Sequence, residues 1–190
     1  MLALRVLDAR SEPIGSRTSP LKGRGSQRQL NEEIRGMASD NQPNDGASVA
    51  ERMRAEHARL EALLAGFSDE ELVQPGQFGE WSVKDMLAHI TFWEQRLIAY
   101  VDGAKESLVQ PDEDELVAID RVNAEVLAAN RDRPLAEVRA AFDASYQQTL
   151  ALAQSLSAED LADEVLYSLL AGDTFEHYRE HIEMLENEQR

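Results

Sequence analysis

From about residue 47 onward, apolar residues recur at intervals of three and four, the spacing of a single buried stripe on an α-helix. Met53, His57, Leu60, Leu64 and Phe67 trace such a stripe and predict a first helix from about Ala47 to Gly66, a glycine suited to a helix C-terminus. Ser68-Asp-Glu-Glu71 reads as an N-cap opening a short turn, and Gln74-Pro-Gly-Gln-Phe-Gly-Glu80 as a loop. Ser82, three residues before Asp85, predicts the start of a second long helix through an aspartate version of the capping box. Its stripe is Met86, Ile90, Trp93 and Leu97, with His89 on the margin, and it fades near Asp102 and Gly103. After Pro111 the acidic run Asp112-Glu-Asp-Glu115 favours another helix N-terminus, where the dipole welcomes negative charge, and that helix reaches about Asn130. Pro134 suits the first position of the next, which runs to about Leu156 along Leu135, Val138, Phe142, Tyr146 (or Ser145), Thr149 and Leu152. Ser157-Ala-Glu-Asp160 repeats the cap-like pattern of residues 68–71. Residues 162–173 carry no assignable pattern, and Thr174 caps a last helix that turns Phe175, Tyr178, Ile182 and Leu185 inward. Ala and Leu predominate and β-branched runs are few. The expectation is an all-α protein, a bundle of four long helices with one shorter connecting helix.

Residues 1–46 differ. They hold Gly15, Gly23, Gly25, Gly36 and Gly46, together with Pro13, Pro20 and Pro43, and no helical or alternating pattern persists. This stretch reads as a disordered N-terminal tail ahead of a folded domain at 47–190. Met37, followed by the polar Ala-Ser-Asp-Asn-Gln-Pro, is a second candidate start, with the first 36 residues then due to an over-long gene. A genuine regulatory or targeting tail is the alternative.

Charge and composition remove several functions. Formal net charge is −17, and the acidity belongs to residues 47–190, with 12 basic against 30 acidic residues. Such a surface repels DNA and anionic lipid, so neither a nucleic-acid nor a membrane partner is expected. No apolar run approaches the ~18 residues that span a bilayer, and the opening Met-Leu-Ala-Leu-Arg-Val-Leu, interrupted by Arg5, is too short for a signal sequence. Cysteine is absent. Disulfides, cysteine-ligated zinc and a cysteine nucleophile are therefore excluded, and the composition fits a cytoplasmic bacterial protein.

The candidate chemistry lies in the four histidines. His177 and His181 stand four apart in the last helix, which stacks both rings on one face. Alone, such a pair in so acidic a helix reads first as a solvated face. His89, in the second long helix, supplies a third imidazole, and packing the two helices together completes a three-histidine site for one divalent metal. Zinc and nickel suit it best, and imidazole does not select sharply against iron or manganese. Three protein ligands leave coordination positions open, as in catalytic sites, where a water or a thiol can be activated. With no cysteine in the chain, any sulfur nucleophile arrives with a low-molecular-weight cosubstrate.

Ser68-Asp-Glu-Glu-Leu72, Pro75, Gly79-Glu-Trp-Ser-Val-Lys-Asp-Met-Leu-Ala-His89 and the terminal His-Tyr-x-x-His resemble the DinB/YfiT-like superfamily over roughly residues 48–188. Within it, His89-Ile-Thr-Phe-Trp93-Glu94, the Asn123 region and Thr174-Phe-Glu-His177-Tyr178 look like the ClbS/DfsB branch. The resemblance implies an up-down-down-up four-helix bundle, often dimeric, with a divalent metal on His89, His177 and His181. It implies two kinds of activity. Metal-binding relatives are thiol-dependent transferases or isomerases, whereas ClbS-like members open an electrophilic cyclopropane and protect their producer from its own genotoxin. Many ClbS-like chains lack the second histidine of the pair, so His181 draws this chain toward the metal-binding relatives.

The remaining residues have plainer readings beside functional ones. His57 is a core-edge histidine before it is a residue of the metal's surroundings. Trp93 and Tyr178 are packing residues before they are walls of a substrate pocket. Glu94 and Glu180 read as solvated charge before they read as groups that orient ligands or carry protons. Trp81 and Asp85 are structural. The expected function is a metal-dependent enzyme acting on a small electrophile by nucleophilic addition, transfer or hydrolysis. A metal-independent ClbS-like hydrolase and a non-catalytic stress-response binding protein are the alternatives.

Overall fold

The first helix, α1 (Gly46–Leu64), is opened by Asp45, whose carboxylate accepts the Ser48 amide at 2.8 Å. A computed structural model describes residues 45–76, 79–105 and 107–188. The tail expected at residues 1–46, and the alternative start at Met37, lie outside the described residues except at their last two positions. There the boundary moves: Gly46 is already helical.

Local rules account for the other elements. α2 (Asp69–Leu72) is a single turn fixed by reciprocal capping bonds between Ser68 and Glu71. α3 (Val83–Val101) starts from the Ser82–Asp85 box, with amide-to-side-chain bonds of 2.9 and 3.2 Å, and stops before Gly103 at φ 102°. α4 (Glu115–Asn130) is capped by Asp114. α5 (Leu135–Ser155) begins after Pro134, whose extended ψ of 142° makes it the N-cap and not the first helical residue. Ser157 and Asp160 bond as the 68–71 pair does, but only a 3₁₀ turn, Asp160–Ala162, follows. The stretch without a predicted element forms α6 (Glu164–Gly172), capped by Asp163. Its apolar residues run round a short helix, with Val165 exposed and Leu170 and Ala171 buried, so no stripe is visible in the sequence. α7 is Phe175–Glu188. Among the described residues there is no β-strand, and no helix is long and apolar enough to cross a membrane.

α1, α3, α5 and α7 share one core of Leu60, Leu64, Met86, Leu87, Ile90, Phe142, Tyr178, Ile182 and Leu185. Toward the start of α1 a second cluster joins Val49, Met53, Leu97 and Ala153 to Leu170 and Phe175. Each large side chain so buried contributes about 1.5–3 kcal/mol relative to exposure. α4 is held on α3 by Trp93, Ile119, Val122 and Val126. The first turn of α3 adds an ionic tie, since Lys84 Nζ donates to the Arg131 and Arg133 carbonyls at 2.6 and 3.2 Å, where α4 ends. A cation there satisfies the unpaired carbonyls and the negative end of the helix dipole.

Gly46 seats the start of α1 against the end of α5. A β-carbon at this position would lie 2.6 Å from the Leu156 carbonyl oxygen and closer still to that of Ala153. Both are backbone atoms, so neither can turn away. Gly46→Ala is therefore expected to destabilise the protein by about 1–3 kcal/mol, the usual cost of overpacking, despite alanine's better helix propensity. A urea-unfolding midpoint equal to or above the wild-type value would refute this account.

Candidate metal centre

His89 leaves α3 three residues after Met86 and four before Trp93, at the centre of the buried stripe and not at its margin. His177 and His181 leave α7 one turn apart. Their exposures are 2%, 0% and 1%, so these are core residues. The Nε2 atom of His177 lies 2.9 Å from that of His89 and 3.0 Å from that of His181. The ligand nitrogens of all three lie within 4.8 Å of one another.

A single imidazole nitrogen carries either one hydrogen or one lone pair. His177 Nε2 can thus make only one of its two close contacts a good hydrogen bond. A cation among the three rings satisfies all three lone pairs together. Desolvation also keeps the lone pairs free: burial lowers the His89 pKa to about 4 and drives those of His177 and His181 well below the usual histidine range. Their mutual proximity adds to the effect at His177 and His181. Three neutral, buried imidazoles turned toward one point can hold a metal ion.

The outer nitrogen of His89 is also placed. Trp93 Nε1 lies 3.3 Å from His89 Nδ1 and 3.2 Å from Asn123 Oδ1. Ligation through Nε2 would put the His89 proton on Nδ1, and the Asn123 oxygen, which has two lone pairs, could then accept from both the imidazole and the indole in place of the Trp93–His89 contact. The Asn123 hydrogen bond raises the His89 pKa against the larger effect of burial. The Trp81 ring meets His89 edge-on at 5.3 Å. Asn123 had entered the sequence reading only through the family likeness. Its polar amide on a helix face otherwise formed by Ile119, Val122 and Val126 was the available signal.

Glu94 corrects the sequence reading. Expected as solvated charge, it has 0% exposure. The periodicity contained this, because Glu94 lies four residues after Ile90 and three before Leu97, both buried. Tyr178, also fully buried, donates its hydroxyl to Glu94 Oε1, while Oε2 finds no hydrogen-bond partner among the described residues. Burial raises the Glu94 pKa to about 7, against the Tyr178 and Ser145 hydroxyls that favour the ionised form. His57 stands outside the trio. Its ring stacks on Tyr146 at 3.5 Å and meets Tyr178 edge-on at 5.9 Å, and burial lowers its pKa to about 4. Trp93 packs in the α3–α4 core and also forms a wall of a cleft of about 530 Å³ beside Arg96 and Asp173. Burial raises the Asp173 pKa to about 7 although Arg96 opposes it.

The Glu94 shift fixes the sign of a pH effect. Below pH 4.5 the group is protonated in folded and unfolded chains alike. As pH rises toward 7 the unfolded chain ionises first, so stability falls, by on the order of 3 kcal/mol once the folded carboxyl has ionised. The depressed histidines act oppositely, losing stability as pH falls below 6.5. They are common to wild type and Glu94→Gln, so the difference between the two proteins isolates Glu94. In chelator, Glu94→Gln is expected to exceed wild type by about 2 kcal/mol at pH 8, with the gap closing by pH 5. Parallel urea-unfolding profiles across that range would show that Glu94 is not held protonated.

No curated protein and no solved structure is similar enough to the chain to be matched with it. A family model does match, over residues 52–190, well over half of the chain and the whole of the histidine site. That match, on a helical core that brings its three histidines together, places the chain in the DinB superfamily.

Proposed function

We propose that His89, His177 and His181 hold a catalytic divalent metal, zinc or nickel, and that the protein is an enzyme acting on a small electrophilic metabolite by nucleophilic addition, transfer or hydrolysis. The observation that carries this reading is the convergence of three buried Nε2 atoms on one point. When bound there, the ion supplies Lewis-acid activation of a nucleophile at neutral pH. The chain's own residues supply the rest. Desolvation keeps the imidazoles neutral, and Trp93 and Asn123 hold the outer side of the His89 ring. Trp81 and Trp93 screen His89 from solvent. With no cysteine available, a sulfur nucleophile belongs to a small thiol cosubstrate, the form of the reaction we favour. The up-down-down-up helix order and a cytoplasmic setting belong to the same reading.

A ClbS/DfsB-like, metal-independent hydrolase is the second reading. It is favoured by the Tyr178–Glu94 hydrogen bond, which joins the two segments that carry that likeness. There Glu94, protonated up to about pH 7, is the acid. Protection of cells against a cyclopropane-bearing alkylator by a metal-free His181→Ala variant would select this reading over the first.

Protein purified without an affinity tag is expected to carry about one divalent ion per chain, since three imidazoles make one site. His181→Ala should lose it. Asn123→Leu should keep the ion but bind it about 10–100-fold more weakly, the usual cost of losing a ligand's outer hydrogen bond. Wild-type protein that takes up no zinc or nickel from a buffered supply would overturn the metal reading.

A further inference from the structure

Between α3, α4, residues 107–109 and the junction of α6 with α7 lies the cleft of about 530 Å³, within the range of small-molecule sites. Arg96 and Asp173 face each other in it, farther apart than the ion pairs that close to a hydrogen bond and, unlike the other open pairs, with the carboxylate buried. Arg121 and Glu113 close to 3.0 Å, Arg59 and Glu186 to 2.9 Å, and Arg179 and Glu56 to 3.1 Å. Arg96 Nη1 stays 3.7 Å from Asp173 Oδ2, beyond hydrogen-bond reach. The Arg96 guanidinium lies over the Trp93 ring, 5.3 Å from the centroid. Among the described residues, Arg96 makes no hydrogen bond, and Asp173 Oδ2, on a residue only 7% exposed, has no donor. A flat guanidinium with its N–H groups unused, beside a buried carboxyl that ionises above about pH 7, is then a receptor with one charge of each sign.

The geometry points to a binding site for a zwitterionic α-amino acid or a small molecule that carries such a head group. We infer that its carboxylate pairs with Arg96 and that its ammonium group is received by Asp173. A planar carboxylate matches the guanidinium fork. A dianionic phosphate does not suit a cleft whose walls also carry Glu115 and Glu176. Ile119, Val109 and Leu169 give the ligand's body an apolar wall. Trp93 is shared, with its ring under Arg96 and its N–H on the His89–Asn123 side. The cleft is the substrate's or the thiol cosubstrate's own if the metal reading above holds. Occupancy does not depend on the metal.

The test uses three probes with one body: phenylalanine, 3-phenylpropionate without the ammonium group, and phenethylamine without the carboxylate. Binding is followed by ligand-detected NMR and Trp fluorescence, on metal-free and zinc-loaded protein. Phenylalanine is expected to bind best in both forms, and each truncated probe about ten-fold more weakly, as loss of one charged hydrogen-bonded contact gives. Arg96→Met should reduce phenylalanine to the level of phenethylamine, and Asp173→Asn to that of phenylpropionate. Arg96→Lys, which keeps the charge without the fork, should fall between. Unfolding midpoints near wild type establish that each variant is folded. Equal binding of phenethylamine and phenylalanine, no binding of any probe at millimolar concentration, or affinity unchanged in Arg96→Met would each overturn the proposal. Binding of phenylalanine by protein that takes up no metal would leave this site standing while the metal reading fell.

Discussion

Desolvation without compensating charge is the constraint on which this molecule is built. Its core holds three histidines, a glutamate and an aspartate that water scarcely reaches, and among the described residues no Lys or Arg closes to hydrogen-bond distance on either carboxylate. A buried ionisable group in that position must stay neutral, find a counter-ion or destabilise the fold. The histidines stay neutral and keep their lone pairs, and the carboxyls stay protonated up to about pH 7. Close approach of like groups, costly between charges, is thereby tolerated between neutral rings. That permits three imidazole nitrogens to meet where an apolar bundle would place leucines.

The same constraint explains why so much could be read from the sequence. Helix stripes and caps are local, and Ser82–Asp85, Ser68–Glu71 and the Met86–Ile90–Trp93–Leu97 spacing survive intact in the structure. The meeting of His89 with the C-terminal pair was legible from residue type, the four-residue spacing and the family likeness, although the stripes alone put His89 at a margin and the pair on a solvated face. α6 was not legible. Nine residues with apolar side chains on every side carry no period, and its capping aspartate lay in a run with no other signal. Pro134 and Gly46 show the remaining limit. Proline is compatible with either side of a helix start, and a glycine chosen for close backbone contact looks the same as one in a loop.

Glu94 was misread for a different reason. Its residue type argues for solvent, whereas its spacing from Ile90 and Leu97 places it inside. A carboxylate is rarely buried, and that prior is sound for most of this acidic surface. It fails where a hydroxyl such as Tyr178 arrives from another helix, which no one-dimensional pattern can show. Asn123 and the Arg96–Asp173 pair share this property. Each depends on a partner brought from far along the chain, so each is a fact of packing before it is a fact of sequence.

α3 and α7 explain how one pair of helices supplies several polar sites without mixing them. Consecutive helical residues are turned by about 100°, so His177 and Tyr178, like Trp93 and Glu94, point to adjacent stripes. One pair of stripes carries His89, Trp93 and Arg96 against His181, His177 and Asp173. The neighbouring pair carries Ile90 and Glu94 against Tyr178, Ile182 and Leu185. Positions rise along α3 as their partners fall along α7, from His89 with His177 and His181 to Arg96 with Asp173, so these two helices run in opposite senses. The metal centre and the Arg96 cleft are thus successive levels of one seam, with Trp93 between them, while the Glu94–Tyr178 bond lies on the neighbouring seam. A slide of α7 by one turn, about 5.4 Å, would break all three sets at once. The bundle's register is therefore set by polar pairs as much as by its leucines, and chemistry and stability share the same contacts.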